Sequence, residues 1–515
     1  MKHLHVIIAL TVLSNSFAIS VTAQSVQERV GYDELVALVG SGLEDGTGVT
    51  SAQVEANSGE AYSASPNNSQ LSSTVFFDAT GRNVGSTGHA TSVGTRMYGS
   101  LSMASGLGQA VNPINSYEAN DFLFGQTNFR FSIQANGELR LTGSDPDSFN
   151  FDVANHSYIA ANVTVTDDPA NNDAAVTDIL RRLDYMANEN ESTMCVGVNN
   201  GAANPVPEFL GYMYNAISVG ISSGNHSSGT TVNIYGVGRT KPDIVAPENF
   251  TSFSTPLVSA SAAILHEAAE GTDATRTETI RALLLSGATK DEFAAWDRTT
   301  TRPLDEVFGA GELNIHNSYV SLKGGEFNGS TVAPANSVGL NGWDYESQIV
   351  AGNDLFYKFE VAQGTKLDQL SIVLSWNMEI LDQSNRRSVF NPAENLGDLN
   401  LDFYDSTGSF LGSLIDESKS TVDNVEHIYL QDLPAGTYHL KVSTDTNRDF
   451  GLAWRSTSSN ILLGDMNLDG VVDFFDISPF IALLTADGYQ CEADFDSNEV
   501  VDFFDISPFI ATLSR

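Results

Sequence analysis

The sequence has few cysteines, few basic residues and no long hydrophobic run beyond its first residues. Its two cysteines, Cys195 and Cys491, lie roughly 300 residues apart, so a disulfide framework is excluded. The 25 Lys and Arg residues against 64 Asp and Glu give a net charge of −39, which disfavours nucleic acid and anionic membranes as partners. No later stretch approaches the roughly 18 apolar residues of a membrane span. The sequence therefore predicts a protein that does not bind nucleic acid and does not span a membrane.

The length and composition indicate several folded domains. At 515 residues the chain exceeds what one hydrophobic core usually supports. Hydrophobic residues make up 41% of it, with 28 Phe and 16 Tyr, which excludes a disordered acidic chain. The excess of carboxylates suits a secreted protein or one that binds hard cations through oxygen ligands.

Residues 1–23 have the three parts of a secretory signal peptide. Met1-Lys2 begins a short basic start, Val6 to Leu13 is apolar apart from Thr11, and Val21-Thr22-Ala23 supplies a small-residue cleavage site. The apolar part is too short to span a bilayer. We therefore expect a secreted protein, either extracellular or periplasmic.

The remaining chain divides into three regions by its hydrophobic pattern, with boundaries at 24–327, 328–459 and 460–515. In the first region short apolar strands alternate with helical segments such as Asp173 to Asn188, which predicts a doubly wound α/β domain with a parallel sheet. In the second, period-two runs such as Leu399 to Tyr404 are separated by Gly, Asp and Asn, which predicts an antiparallel β-sandwich.

The third region contains an internal repeat with regularly spaced oxygen ligands. Val471 to Ala482 reads VVDFFDISPFIA, and Val500 to Ala511 repeats these residues identically. The spacing is that of an EF-hand calcium loop, whose ligands lie at positions 1, 3, 5, 7, 9 and 12. The predicted ligands are Asp465, Asn467, Asp469, Val471 (through its carbonyl), Asp473 and Asp476 in the first copy, and Asp494, Asp496, Asn498, Val500, Asp502 and Asp505 in the second.

This repeat resembles a dockerin, the duplicated calcium-loop module that docks onto cohesin domains, and the resemblance covers Gly464 to Ser514. It implies a small α-helical, EF-hand-like module that binds two Ca²⁺ ions and a cohesin-like partner. Phe474-Phe475 and Phe503-Phe504 stand where many dockerins carry polar recognition residues. We also expect Ser478-Pro479, and its counterpart in the second copy, to begin each helix.

A second resemblance carries the catalytic prediction. Pro242 to Pro247 (PDIVAP) is followed by Thr251 to Pro256 (TSFSTP) and an Ala-rich helix. These segments resemble the nucleophile region of subtilisin-like serine proteases, the subtilases, in which Pro-Asp-Ile-Val-Ala-Pro precedes Gly-Thr-Ser-Met-Ala-Thr-Pro. The resemblance implies that Ser252 is the nucleophile.

Other subtilase motifs occur upstream in the family's order. Gly88 to Gly94 (GHATSVG) resembles the segment of the general base, which implies that role for His89. Val196 to Gly201 (VGVNNG) resembles the oxyanion segment and implies that Asn199 supplies its amide. Val153 to Ser157 resembles the segment that lines the substrate.

The third member of the triad departs from the family. Gly48 to Glu55 aligns with the strand that ends in the subtilase Asp, so Glu55 stands in its place. A longer carboxylate can still orient an imidazole and stabilise its charged form. We therefore expect a Ser252–His89–Glu55 triad in a secreted endopeptidase that acts on protein or peptide substrates.

Two further departures from the subtilase pattern leave three interpretations of the function open. Phe250 replaces the Gly that usually precedes Thr-Ser, and the chain between residue 24 and the first strand leaves no room for a separate folding prodomain. The chain is then either an active peptidase, a catalytically impaired subtilase retained for binding, or a structural component of a calcium-dependent extracellular assembly.

Overall fold

The structure is a computed structural model. It describes residues 24–159, 164–202, 206, 209–332, 335–384, 389–406, 410–468, 470–486, 488–496, 498 and 500–513. The predicted signal peptide, residues 1–23, lies outside the described residues.

The amino-terminal part is an α/β unit built on a parallel sheet. Its strands are β1 Ser51–Glu55, β2 Phe76–Asp78, β3 Ile114–Glu118, β4 Phe131–Ile133, β5 Leu139–Leu141, β6 Val153–His156, β7 Thr193–Gly197, β8 Ala216–Ile221, β9 Gly229–Thr230, β10 Thr240–Lys241 and β11 Ile244–Ala246. Its helices are α1 Val26–Arg29, α2 Tyr32–Val39, α3 Gly88–Met97, α4 Pro169–Glu189, α5 Thr251–Ala268, α6 Thr277–Gly287 and α7 Ile315–Gly324.

Seven of these strands form one sheet in the order β11-β8-β7-β6-β1-β3-β2. Every pair in it is parallel, and all residues of β1, β6, β7 and β8 are buried. Burial on both faces is what a parallel sheet covered by helices requires. The predicted parallel α/β sheet is confirmed. After β1, the strands β2 and β3 lie on one side of β1 in the sheet, and the later strands, from β6 to β11, lie on the other side. The carboxyl end of β1 therefore lies at a switch point, where open α/β sheets bind ligands.

The next part consists of antiparallel sheets. Its strands are β12 Gly342–Ile349, β13 Asp354–Val361, β14 Thr365–Ser375, β15 Glu379–Asp382, β16 Pro392–Asn395, β17 Leu399–Asp405, β18 Leu414–Ser418, β19 Val425–Leu433, β20 Gly436–Thr444 and β21 Arg448–Asn460. They form two four-stranded sheets, β12-β21-β14-β19 and β13-β20-β17-β18, and a β15-β16 hairpin. Side chains from both four-stranded sheets, among them Tyr357, Phe403 and Trp454, share one hydrophobic core. The predicted antiparallel strands and the multidomain architecture are confirmed.

Helix α6 joins the α/β unit to the antiparallel sheets. All eleven of its residues are buried, and it packs against β14 and β21. Arg281 lies at the centre of this interface. Its guanidinium donates to the carbonyl oxygens of Tyr214 and Trp376, both at 2.6 Å, and to Ser375 Oγ at 2.5 Å. The antiparallel sheets therefore complete the core of the α/β unit.

We expect Arg281→Met to destabilise the protein by about 3 kcal/mol, because buried acceptors would lose a charged donor. The control is Arg181→Met. Arg181 also reaches across to the antiparallel region, at Glu394, but both side chains of that ion pair are about one-third exposed, so its loss should change stability by less than about 0.5 kcal/mol. Urea unfolding measures both effects. Equal losses in the two variants would contradict the role assigned to Arg281.

The carboxyl-terminal part contains two helices, α8 Ile477–Thr485 and α9 Phe503–Thr512. Phe480 and Phe509 stack at 4.0 Å between ring centroids in a small core of five buried side chains. Glu492 forms a buried ion pair with Lys366 of β14 at 2.8 Å, which fastens this part to the antiparallel sheets.

The prediction that Ser478 and its counterpart cap these helices is wrong. The helical turns begin earlier, after Asp473 and Asp502, and each of these residues forms a capping box, with Asp476 and Asp505 respectively. A carboxylate at the cap accepts backbone N–H groups and favours the positive end of the helix dipole.

Candidate active site

Glu55 lies at the carboxyl end of β1 and is 1% exposed. Gln53 Nε2 donates to Glu55 Oε1 at 2.8 Å and to the Ala90 carbonyl at 2.9 Å. The Tyr98 hydroxyl donates to Gln53 Oε1, and this bond fixes which way the Gln53 amide points. Glu55 is therefore held in one orientation with its second oxygen directed towards α3.

His89 is the second residue of α3, where Thr87 caps the helix. Its Nδ1 lies 2.8 Å from Glu55 Oε2. Burial raises the pKa of the Glu55 carboxyl, and the hydrogen bond to His89 opposes that rise. The same bond raises the pKa of His89, whose side chain is 45% exposed. The pair has the geometry in which a carboxylate orients an imidazole and leaves Nε2 to exchange protons.

Ser252 is the second residue of α5, which begins shortly after β11 ends at Ala246. Strand β11 is parallel to the other strands, so Ser252 reaches the same edge of the sheet as Glu55. The next residue, Phe253, stacks on the His89 ring with centroids 6.0 Å apart. Among the residues that the structure describes, Ser252 and His89 form no hydrogen bond. The structure thus brings the dyad and the serine segment together, and no described residue forms a hydrogen bond with the Ser252 hydroxyl.

An aromatic and ionic cluster borders the site beyond Phe253. The Arg96 guanidinium lies 4.1 Å from the Phe253 ring centroid, and Arg96 Nε donates to Glu248 at 2.5 Å. Phe250, in the position that subtilases give to Gly, packs edge-to-face on Phe253 and is 51% exposed. Phe250 therefore adds an exposed aromatic surface beside the serine.

The predicted oxyanion segment follows β7. Asn199 is half-buried, accepts a backbone hydrogen bond from Ser227 at 2.8 Å, and lines a small pocket with Tyr158 and Gly197. Its neighbour Asn200 contacts the serine segment directly, since its Oδ1 accepts from the Thr251 N–H at 2.9 Å and from the Thr251 hydroxyl at 3.2 Å.

Sequence reasoning did not identify Asn200. Phe250 precedes α5 and has no side-chain cap, so a helix beginning there needs a capping group from elsewhere. Asn200 is that group, and it anchors the turn that carries Ser252. The missing cap was a usable signal, although the sequence does not say which distant residue would supply it.

If Asn199 supplies the oxyanion amide, as the subtilase resemblance implies, Asn199→Ala is expected to lower kcat by about 10²- to 10³-fold with KM little changed, as for loss of one oxyanion donor. Asn200→Ala should instead lower the thermal stability and change kcat less, because its side chain caps α5. Kinetics on a peptide substrate and thermal unfolding of both variants separate the two roles. A large kcat loss in Asn200→Ala alone would assign the oxyanion amide to Asn200.

The segment that was predicted to line the substrate, Val153 to Ser157, is buried throughout. Asn155 and Ser157 are buried, and Asn155 bonds to Ser157 at 2.9 Å and accepts from Ser259 at 3.1 Å. These two side chains therefore support the site from inside. Tyr158 and Ile159, which follow them, line the pocket beside Asn199.

In the first carboxyl-terminal loop the described carboxylates bond to the backbone. Asp465 accepts from the Gly470 N–H at 2.8 Å, and Asp476, which is fully buried, accepts from the N–H groups of Met466 and Asp473. The N–H of Asn467 also bonds to Asp476, and the Val471 side chain is exposed. Asp469 lies outside the described residues.

The second loop repeats this pattern and adds a compact group of carboxylates. Asp505 is buried and accepts from the N–H groups of Phe495 and Asp502, as Asp476 does in the first copy. One carboxylate oxygen from each of Asp494, Asp496 and Asp505 lies within 4.8 Å of the others. Asn498 Nδ2 donates to Asp496, and the Val500 N–H donates to Asn498. Loss of hydration, followed by repulsion from Asp505 and Asp494, raises the pKa of Asp496.

No family model matches the chain, and no curated protein matches it. Among solved structures it resembles a protease from Pseudoalteromonas arctica PAMC 21717, with 12% identity, a TM-score of 0.30, and coverage of 54% of this chain and 91% of that chain. None of the helices in the described part of the chain has the length and apolar character needed to cross a membrane.

Proposed function

We propose that the protein is a secreted serine endopeptidase of the subtilisin-like type. The observation that carries this proposal is the hydrogen bond between Glu55 and His89 at the switch point of the sheet, beside the helix start that bears Ser252. A buried carboxylate, a half-exposed histidine and a serine at a helix start form the group that acyl transfer requires.

In the proposed reaction Ser252 Oγ attacks the carbonyl carbon of the scissile peptide bond while His89 Nε2 takes the hydroxyl proton. Glu55 stabilises the imidazolium, which then gives its proton to the leaving amine as the C–N bond breaks. Water hydrolyses the acyl-enzyme by the same proton route. The N–H of Ser252, near the positive end of α5, and the amide of Asn199 are the proposed donors to the oxyanion.

The Ser252 hydroxyl must come within hydrogen-bond distance of His89 before attack. Catalytic hydrogen bonds are often long in the absence of substrate and shorten on binding. The lack of this bond among the described residues also supports the second candidate, a catalytically impaired protein that keeps this fold for binding. The exposed Phe250 beside the serine favours the same alternative, because subtilases have Gly at this position.

A fluorophosphonate probe distinguishes these two functions. Such a probe reacts with a serine only where a base activates it, so the active peptidase should be labelled at Ser252 and Ser252→Ala should not. The matched control is Ser254→Ala, which removes a buried hydroxyl two residues away that donates to Ala246 and should leave labelling intact. An unlabelled wild-type chain would favour the binding protein.

We further propose that the carboxyl-terminal part, residues 460–515, is a dockerin-like module that binds two Ca²⁺ ions and a cohesin-like partner. The oxygen donors of Asp494, Asp496 and Asp505 suit a hard cation, and their spacing supports one site in the second loop. Bound Ca²⁺ would neutralise part of a segment in which residues 464–515 carry 11 acidic residues and one basic residue. In this arrangement the module attaches the peptidase to an extracellular assembly.

A further inference from the structure

The Phe253 ring contacts two side chains of helix α3. Phe253 follows Ser252 in the first turn of α5, and α5 packs against α3. Its ring centroid lies 6.0 Å from that of His89, with 29° between the ring planes, and 4.1 Å from the guanidinium carbon of Arg96. The subtilase pattern has Met at this position, so the resemblance does not imply a ring there.

The spacing of these two side chains matches the room that one aromatic ring needs. His89 and Arg96 are seven residues apart on α3, so they lie on the same face of the helix, about 10.5 Å apart along its axis. The two distances from the Phe253 centroid together nearly equal that rise. The ring therefore fits the gap between the imidazole and the guanidinium, and both contacts are attractive at these distances.

The guanidinium is itself held in place. Arg96 Nε donates to Glu248 Oε1 at 2.5 Å, and Nη1 donates to the Ser92 carbonyl at 3.1 Å. Glu248 is 11% exposed and belongs to the short turn between β11 and α5. Arg96 and Glu248 also line a cavity of about 360 Å³, so the ion pair, rather than close packing on every side, keeps the guanidinium against the ring.

This arrangement can position both reacting groups. The hydrogen bond to Glu55 fixes His89 at Nδ1 but leaves the imidazole plane free to tilt, and a contact with the face of the ring restricts that freedom. Ser252 shares the first turn of α5 with Phe253, so the position of the Phe253 ring also sets that of the serine relative to His89. A misplacement of about 1 Å in such groups can lower a rate about 10²-fold.

We propose that Phe253 is a positioning residue, clamped between His89 and Arg96, which fixes the plane of the His89 imidazole and the distance from it to Ser252. The Arg96–Glu248 ion pair contributes by holding the ring from its other side. The effect of Phe253 on the rate rests on the proposed peptidase function, whereas its contact with His89 does not.

Nuclear magnetic resonance of the Ser252→Ala chain, with carbon-13 at Cε1 of histidine, tests the contact without any activity. The signal of His89 is identified by its loss in His89→Gln. An aromatic ring that faces a proton shifts its signal, so Phe253→Leu, which keeps an apolar side chain of similar size, should move the His89 signal. Phe253→Tyr keeps the ring and should leave the signal in place. An unchanged signal in Phe253→Leu would overturn the proposal.

Kinetics on a peptide substrate measure the effect on the rate. Phe253→Leu should lower kcat by about 10- to 100-fold with KM little changed, because the reacting groups are misplaced. Phe253→Tyr should keep kcat within threefold of wild type. Equal kcat in Phe253→Leu and wild type would contradict the positioning role. A wild-type chain without activity would instead contradict the proposed function, and the resonance measurement would still decide the contact.

Variants of Arg96 provide a second test, which also serves if thermal unfolding shows that Phe253→Leu is not folded. Arg96→Met removes the cation and should lower kcat about tenfold, whereas Arg96→Lys keeps a cation over the ring and should lower it less than threefold. The matched control is Arg29→Met. Arg29 is likewise about one-third exposed and paired with a buried carboxylate, Glu312, but it lies on α1, so kcat should change less than twofold. Unchanged kcat in Arg96→Met, or an equal loss in Arg29→Met, would contradict the clamp.

Discussion

Replacing Glu55 with Gln is expected to lower kcat by about 10⁴-fold, because the variant would hold His89 in the wrong tautomer. Gln53 presents its N–H₂ to one oxygen of Glu55, and Tyr98 prevents that amide from turning over. A Gln at position 55 must therefore place its oxygen towards Gln53 and its own N–H₂ towards His89. His89 Nδ1 then becomes an acceptor, the proton moves to Nε2, and Nε2 can no longer take the proton of Ser252.

The pH dependence gives a second measurement of the same effect. Glu55 raises the pKa of His89, and catalysis requires the neutral imidazole, so wild-type activity should rise as the pH increases through that raised value. In Glu55→Gln the residual activity should rise at a lower pH, because the stabilising carboxylate is gone. Initial rates between pH 5 and 9 measure both changes.

Glu55→Asp is the control that keeps the charge. We expect it to lower kcat by only 10- to 100-fold, since a shorter side chain lengthens the bond to His89. Equal activity in wild type and Glu55→Gln would contradict the role of Glu55.

The dyad was predicted from the resemblance of the Glu55 and His89 segments to subtilase motifs in the family's order, and neither residue would have been singled out without it. The structure shows how the two segments meet: Glu55 ends a buried strand, His89 follows a helix cap, and parallel strands bring their carboxyl ends to one edge of the sheet. The antiparallel part was predicted from a period of two that reflects burial of one face.

Contacts between distant segments were not predictable from such patterns. Asn200 caps α5 across about 50 residues of sequence, and Arg281 satisfies carbonyl oxygens on two different units. Both interactions depend on how packed elements are placed, and polar residues of this kind are common in loops and on helices. The helix starts in the repeat were mispredicted for a related reason. Asp473 was assigned only as a metal ligand, although a carboxylate at that position also caps the following turn.

Removal of Ca²⁺ is expected to unfold residues 464–513 while the parallel and antiparallel sheets stay folded. Among the described residues of this module, the hydrophobic core has five buried side chains, and a core of this size needs a metal or another staple to stabilise an independent domain. Without Ca²⁺, the carboxylates of Asp494, Asp496 and Asp505 would repel one another at short range. A cation present at about 1,000 times its Kd would contribute about 4 kcal/mol to the folded state, which is enough to decide whether a module of this size folds.

Hydrogen exchange of the full chain, with Ca²⁺ and with a chelator, measures this effect segment by segment. The N–H groups of Met466 and Phe495, which bond to Asp476 and Asp505, should lose their protection in the chelator, whereas those of β1 and β14 should keep it. Asp494→Asn should cause the same loss in the second loop even with Ca²⁺ present, and Asp167→Asn, an exposed acid of the α/β unit, should cause none. Unchanged protection in the chelator would mean that the capping boxes and the stacked Phe480 and Phe509 hold the module without a metal, and would remove the basis for a calcium-dependent attachment.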